Sequence, residues 1–380
     1  MRYACFATTN RGLESLLSNE LTQLGATNLE AVNAGVKFYA DFDQIMQINL
    51  HSRLSSRIML EVGYATYYDE RDIYDLAYKI KWDTWFDFKH TIKVTTNAIN
   101  CPLTSLEFLN LKVKDAICDY FIKGTSERPS VDKKNPDMRI YNFLDKDTVT
   151  IYLDTSGEAL FKRGYRNSKQ EAPIKENLAY GLVKLSNWNS DLTLYDPMCG
   201  SGTILIEAIY AALNIAPGLS RDFAMEKFNS FDKTKWDDLK KLAHSQIKQK
   251  LKLKIYAGDI SKVALESARH NFAQANVTQY VEFISSDFLQ KSKPSDSGIL
   301  IANLPYGIRI KPEDLDQFYI DLASHLKNNY DGWNCYLLSN DLRLPKIMRL
   351  KPSKKNPLYN GSLDCRLFEF KMVKGSNRKS

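Results

Sequence analysis

At 380 residues the chain exceeds the usual extent of one hydrophobic core, so two or more domains are expected. Hydrophobic residues at 44% and charged residues at 26% suffice for substantial cores, and no apolar run approaches the roughly 20 residues that span a bilayer. The net charge of +7 admits an anionic partner. Six scattered cysteines without a CxxC pair, and five histidines without HExxH, point to a reduced cytoplasmic protein with no metal site.

The first residues, MRYACFATT, read as a strand with neither the apolar stretch nor the cleavage site of a signal peptide. RGLESLLSNELTQLG follows as an amphipathic helix closed by Gly25. VKFYADF alternates as a strand, QIMQINLHSRLSSRIML (44–60) has helical spacing, and IKVTTNAIN is again strand-like. SLEFLNLKVKDAICDYFI is expected as a helix ending before Gly124, and residues 139–157 as a hairpin turning at Asp145–Asp147. No glycine-rich phosphate loop occurs in this half, which by its pattern is α+β and carries no assignable chemistry.

Residues 157–188, punctuated by Gly157, Gly164 and Pro173 and charged by Lys162, Arg163, Arg166 and Lys169, read as the domain junction. From Leu192 buried strands alternate with helices: LTLYDP, LKIYAGDI, YVEFISSD, GILIANLPY and NCYLLSND are separated by GTILIEAIYAAL, SKVALESARHNFAQA and PEDLDQFYIDLASHLK. That alternation predicts a parallel sheet with helices on both faces and ligands beyond the carboxyl ends of its strands. Residues 215–254 form a helical, basic insertion, in which the run Lys240–Lys254 reads best as a solvated face. SLDCRLFEFKMVK adds an antiparallel strand, and the tail 374–380 is expected to be disordered.

The chemistry concentrates at two places. Asp196 ends a strand, and Pro197, Cys199, Gly200, Ser201, Gly202 and Thr203 turn the chain into a helix whose first amides can receive a carboxylate. Asp259, followed by Ile260, ends the next strand and is placed to hold ribose hydroxyls. Asp287 ends the third, with Phe288 beside it to pack on a base. Each acid alone also fits a turn or helix cap; three at successive strand ends favour a cofactor site. Cys199 has no basic cluster around it and reads as a small residue fitted beside the cofactor.

The second place is Asn303-Leu304-Pro305-Tyr306, after the fourth strand. An exocyclic amine on a base is a poor nucleophile. Two acceptors, the Asn303 side-chain oxygen and the Leu304 carbonyl, can favour a pyramidal nitrogen. Pro305 keeps Leu304 extended and Tyr306 offers a stacking face for a flipped base.

These residues resemble class I S-adenosylmethionine-dependent amino-methyltransferases, whose DPxCGSGT and (N/D)PPY motifs correspond to Asp196–Thr203 and Asn303–Tyr306. Lys162–Arg166 and Ala172–Asn177 look like the KRGYR…APLKEN segment of THUMP-containing RNA methyltransferases of the RlmL group, which act on guanine N2 in 23S ribosomal RNA. The resemblance implies an α/β fold: a Rossmann-like, mostly parallel seven-stranded sheet preceded by an α+β ferredoxin-like and THUMP region. Expected boundaries are 1–55 for the ferredoxin-like segment, 56–155 for THUMP, 156–172 for the linker and 173–380 for the methyltransferase domain.

It further implies S-adenosylmethionine as cofactor and RNA, 23S rRNA or a large-subunit assembly intermediate, as partner. Lys162, Arg163, Arg166 and Lys169 would then be phosphate contacts, and no membrane is involved. Leu304 stands where the commonest motif has proline, which bears on pocket shape. The chain also stops soon after its last strand, so a single modification, without a second fused methyltransferase module, is expected. Adenine N6, a protein glutamine, and a non-catalytic RNA-binding assembly factor are the alternatives the residues leave open.

Overall fold

Two sheets of opposite character carry the molecule. The structure, a computed structural model, describes residues 1–166, 174–252, 255–305 and 312–373, with backbone only for 312–314. They cluster into one unit of residues 1–8, 17–160 and 218–242 and a second of residues 9–16, 161–217 and 243–380.

In the first unit the chain runs β1 (Tyr3–Thr8), α1 (Glu14–Gln23), β2 (Thr27–Val32), β3 (Gly35–Ala40), α2 (Phe42–His51), β4 (Arg57–Thr66), α3 (Glu70–Lys79), β5 (Ile92–Ile99), α4 (Leu106–Thr125), β6 (Met138–Asp145) and β7 (Thr148–Asp154). The strands form one sheet in the order β2-β3-β1-β4-β7-β6-β5. Its neighbours are antiparallel except for parallel β5 and β6. Along β6 the side chains of Met138, Ile140, Asn142 and Leu144 are buried and those between them are half-exposed, the signature of a sheet with one face on a core.

The expected helix over 44–60 is only half right. α2 is set by a capping box, Asp41 with Gln44, and ends at His51. Half-buried Glu20 then accepts from Ser52 Oγ at 2.7 Å and from the Arg53 and Leu54 amides at 3.0 and 3.2 Å, so the serine-rich turn has its own hydrogen-bond partner and the chain leaves as β4. α4 passes through Gly124 and ends at left-handed Ser126.

The second unit begins with α5 (Glu176–Leu185), buried along most of its length and so part of the methyltransferase core. β8 (Thr193–Asp196) and α6 (Thr203–Ala212) follow. The basic insertion carries α7 (Lys233–Ser245), most of which clusters with the first unit. Within the run 240–254, Lys241 pairs with Asp238 at 3.2 Å and Lys252 with Asp191 at 2.6 Å, both exposed, as on a solvated face.

The chain continues through β9 (Ile255–Asp259), α8 (Lys262–Gln274), β10 (Val281–Ser285), β11 (Gly298–Asn303), α9 (Pro312–Asn329), β12 (Trp333–Ser339), α10 (Leu344–Ile347), β13 (Lys354–Asn360) and β14 (Leu363–Lys371). The sheet order is β10-β9-β8-β11-β12-β14-β13. The first five strands are mutually parallel, while β14 runs antiparallel to both neighbours. β8 and β11 are buried on both faces, as strands covered by helices must be. This is the expected Rossmann-like sheet. No helix among the described residues is long and apolar enough to cross a membrane.

Candidate active site

Parallel pairing brings the carboxyl ends of adjacent strands to one edge, and the marker residues stand there. Asp196 lies opposite Ala257 of β9, Ser285 opposite Asp259, and Asn303 opposite Leu338.

Asp196 is enclosed, 1% exposed, and its Oδ1 accepts from the Met198 amide at 3.1 Å. Burial, then the nearby Asp259, pushes its carboxyl well above the usual range, and among the described residues no ion pair joins it to a cation. Burial likewise pushes the Cys199 thiol far up, which keeps it from acting as a thiolate, in line with its reading as a packing residue. The turn is stitched to β9. The Cys199 amide donates to the Gly258 carbonyl at 2.8 Å, and the Gly200 amide to Asp259 Oδ2 at 2.9 Å. The other oxygen of Asp259 takes the Ser261 amide at 2.9 Å.

Gly200 and Gly202 have φ of +54° and +78°, the left-handed region where glycine is at no disadvantage. A Cβ on Gly200 would meet nothing within 4 Å, so open space lies beside the turn. Ile260, next to Asp259, leaves a large apolar side chain 71% exposed at the same edge. Thr203 opens α6, and its hydroxyl lies 3.0 Å from that of Ser201.

One expectation at the third strand changes, that for Phe288. Asp287 caps a short 3-10 turn, accepting from the Leu289 amide at 3.0 Å. Phe288 is not a free stacking face. It is 4% exposed, with its ring centroid 6.0 Å from Tyr195, 4.9 Å from His325 and 5.3 Å from Tyr330, and so belongs to the core behind the strand ends.

Asn303 ends β11, and the Leu304 amide donates to the Leu338 carbonyl at 3.0 Å, extending the parallel ladder one residue beyond the strand. The Asn303 Oδ1 atom is buried and has no hydrogen-bond partner among the described residues. The Leu304 side chain is fully buried in the cluster that holds Ala302, Leu337 and Leu344, so the extra width of leucine over proline is taken up by the core. Pro305 is half-buried; Tyr306, like Lys169, Ala172, Pro173 and the tail 374–380, lies outside the described residues.

The basic segment before α5 is largely internal. Arg163 is 4% exposed with Nη2 3.5 Å from Glu207 Oε2, and the Tyr165 hydroxyl donates to Glu207 Oε1 at 3.0 Å. Arg166 pairs with Glu176 at 3.2 Å and donates to the Ile174 carbonyl at 3.1 Å. Burial pushes the Tyr165 hydroxyl and the Glu176 carboxyl upward, the Arg166 charge opposing the second. Arg163 is thereby corrected from phosphate contact to internal counter-ion, and Arg166 is largely committed in the same way; Lys162 is exposed. The partner acids escaped the sequence reading. A signal was present, since Glu207 is the one acid in the apolar run TILIEAIYAAL and a helix so apolar must bury it against a cation.

A seven-stranded sheet in this order, with a glycine turn after β8 and Asn-Leu-Pro after the neighbouring β11, defines a class I methyltransferase. Residues 163–369 match the RMKL-like methyltransferase domain, residues 67–154 the THUMP domain and residues 4–59 the RlmL ferredoxin-like domain. The chain belongs to the RMKL-like methyltransferase family, in its THUMP-bearing form with an RlmL ferredoxin-like start.

Among curated relatives, the ribosomal RNA large subunit methyltransferase K/L of Psychromonas ingrahamii is 37% identical over 97% of this chain and 50% of its own length. A candidate RNA methyltransferase of Synechocystis, slr0064, is 34% identical over 97% of this chain and 96% of its own. The crystal structure of SMU.472, a candidate methyltransferase complexed with SAH, superposes with a TM-score of 0.89 at 29% identity, covering 99% of both chains. The chain thus spans about half the length of the K/L relatives it matches.

Proposed function

We propose that the chain transfers a methyl group from S-adenosylmethionine to the exocyclic N2 amine of a guanine in RNA, with large-subunit ribosomal RNA as substrate. The observation that carries this reading is the buried, unpartnered Asn303 Oδ1 at the strand end next to the glycine turn. Leaving a buried acceptor unpaired costs about 1–3 kcal/mol, a cost that a donor arriving with substrate removes.

The residues present fit the cofactor. Asp196 offers a buried carboxylate without a cation, suited to an ammonium group. The space beside Gly200 admits a ligand against the turn, Asp259 retains lone pairs for ribose hydroxyls, and Ile260 offers an apolar face to a base. When bound, S-adenosylmethionine supplies a methyl group on a sulfonium, already a good leaving group. What remains for the protein is placement. Asn303 Oδ1 and the Leu304 carbonyl accept the two amine hydrogens and turn the nitrogen lone pair toward the methyl group. Pro305 holds that carbonyl in its extended setting and Tyr306 stacks on the flipped base. The THUMP match and the RNA-methyltransferase names of the relatives support RNA as substrate, with Lys162 and Lys169 as phosphate contacts.

The test is incubation with tritiated S-adenosylmethionine and RNA lacking the modification, followed by digestion to nucleosides. Label in N2-methylguanosine from large-subunit RNA is expected. Label in N6-methyladenosine would keep the cofactor assignment and overturn the base, and label in protein would overturn RNA as acceptor.

A further inference from the structure

Behind the glycine turn, α8 makes a contact that the proposed chemistry does not use. Asn271 is 3% exposed, and its Nδ2 donates to the Ser201 carbonyl at 3.0 Å across 70 residues of sequence. That carbonyl belongs to the Ser201–Gly202 peptide, whose N–H donates to the Cys199 carbonyl at 2.8 Å. One of the two torsions that turn this peptide is the φ of Gly202, +78°, at a residue with no Cβ to oppose rotation. A donor fixed on a neighbouring helix removes that freedom.

The same helix presses the turn from behind. A Cβ on Gly202 would come within 2.5 Å of Phe272 Cε2 and 3.4 Å of Ala268 Cβ. Asp259, just before α8, grips the Gly200 amide and also the Ser261 amide at the helix cap. The turn is therefore held through Gly200 on one side and through Ser201 on the other, both times from the α8 side. The opposite end of the Asn271 amide, Oδ1, is buried without a partner among the described residues. A residue serving only the core would be better apolar at such a place, since the unpaired acceptor is unfavourable. What the asparagine contributes is orientation.

We infer that Asn271 is a positioning residue for the cofactor turn, fixing the Ser201–Gly202 peptide so that the turn meets the cofactor in one conformation. This rests on the reading that S-adenosylmethionine binds against the turn.

The experiment is isothermal titration of S-adenosylhomocysteine into the full chain, comparing the unaltered protein with Asn271→Ala, Asn271→Ser and Asn271→Asp. Asn49→Ala serves as a control for loss of a buried asparagine elsewhere. Kd is expected to rise about tenfold in the alanine and serine variants, and further in the aspartate variant, which turns an acceptor toward a carbonyl. Their unliganded Tm should stay within a few degrees and the KM for RNA should not change. Kd within twofold of the unaltered protein in all three overturns the inference. So does failure of all three to fold, because Asn271 would then be a core residue. If the unaltered protein binds no S-adenosylhomocysteine, the cofactor reading itself fails.

Discussion

Asn49 in the first unit and Asn303 in the second both bury polar atoms, and they are treated in opposite ways. Asn49 is 1% exposed with both ends of its amide engaged. Nδ2 donates to the Ile45 carbonyl at 3.0 Å and to Thr155 Oγ1 at 2.9 Å, while Oδ1 accepts from Ser156 Oγ at 2.7 Å. Thr155 in turn donates to the Ile58 carbonyl at 2.7 Å, tying α2 to β4 and to the end of β7. Asn303 ends its strand with Oδ1 buried and unpaired. The same residue type can close a network or leave one open, and only the open one has bonding capacity for a substrate.

The largest effect expected from that contrast is at Asn303. Asn303→Ala should lower kcat about 10²–10³-fold, the scale of losing one aligned polar group at a reacting centre. Its Kd for S-adenosylhomocysteine should stay within a few-fold of the unaltered protein, and its Tm should not fall. Turnover near that of the unaltered protein would remove Asn303 from the chemistry and with it the amino-acceptor assignment.

The contrast sharpens at the basic segment, where Arg163 and Glu207 are closed like Asn49. Arg163→Ala leaves Glu207 buried without its counter-ion, and thermal or urea unfolding should show a loss of about 3 kcal/mol. Weakened RNA binding at unchanged stability would instead restore Arg163 as a phosphate contact. Asn49→Ala comes next, at about 1–3 kcal/mol of stability, with cofactor affinity untouched. A change in affinity there would mean that the closed network is not merely architectural.

These assignments differ in how far they can be read without coordinates. The edge of the second sheet is legible where Asp196 and Asn303 end the buried strands β8 and β11, so the apolar run locates the strand end and chemistry names the candidate residue. The glycine turn and Asn303 were found in this way. Phe288 and Arg163 were not, because whether an aromatic ring or a cation faces solvent depends on partners far along the chain: His325 and Tyr330 for the first, Glu207 for the second. The helix α5 is not named by the pattern, because its charged flank masks an apolar face that only packing shows. The turn after α2 was missed for a related reason. Its stop signal, Glu20, is supplied from α1, more than thirty residues upstream.

The smallest expected effect concerns pH, and it tests whether Asp196 is open in the same sense as Asn303. Burial raises its folded-state pKa above the unfolded value of about 3.9, so between those two values the folded protein binds more protons than the unfolded chain. Its contribution therefore runs opposite to that of a salt-bridged acid. Stability is greatest where the group is neutral and falls as pH rises through the window, when a carboxylate without a cation must be kept buried. A ligand that brings an ammonium group to Asp196 supplies the missing charge only where the acid is ionised. Stabilisation by saturating S-adenosylhomocysteine, read as the shift in Tm, should then grow as pH rises above the unfolded carboxylate value and the buried acid ionises, by no more than a few degrees. In Asp196→Asn the dependence should flatten, since nothing remains at that position to ionise. A ligand-induced shift that is flat with pH in the unaltered protein, or that keeps its slope in Asp196→Asn, would mean that the ammonium is held elsewhere and that Asp196, like Asn49, only closes the fold.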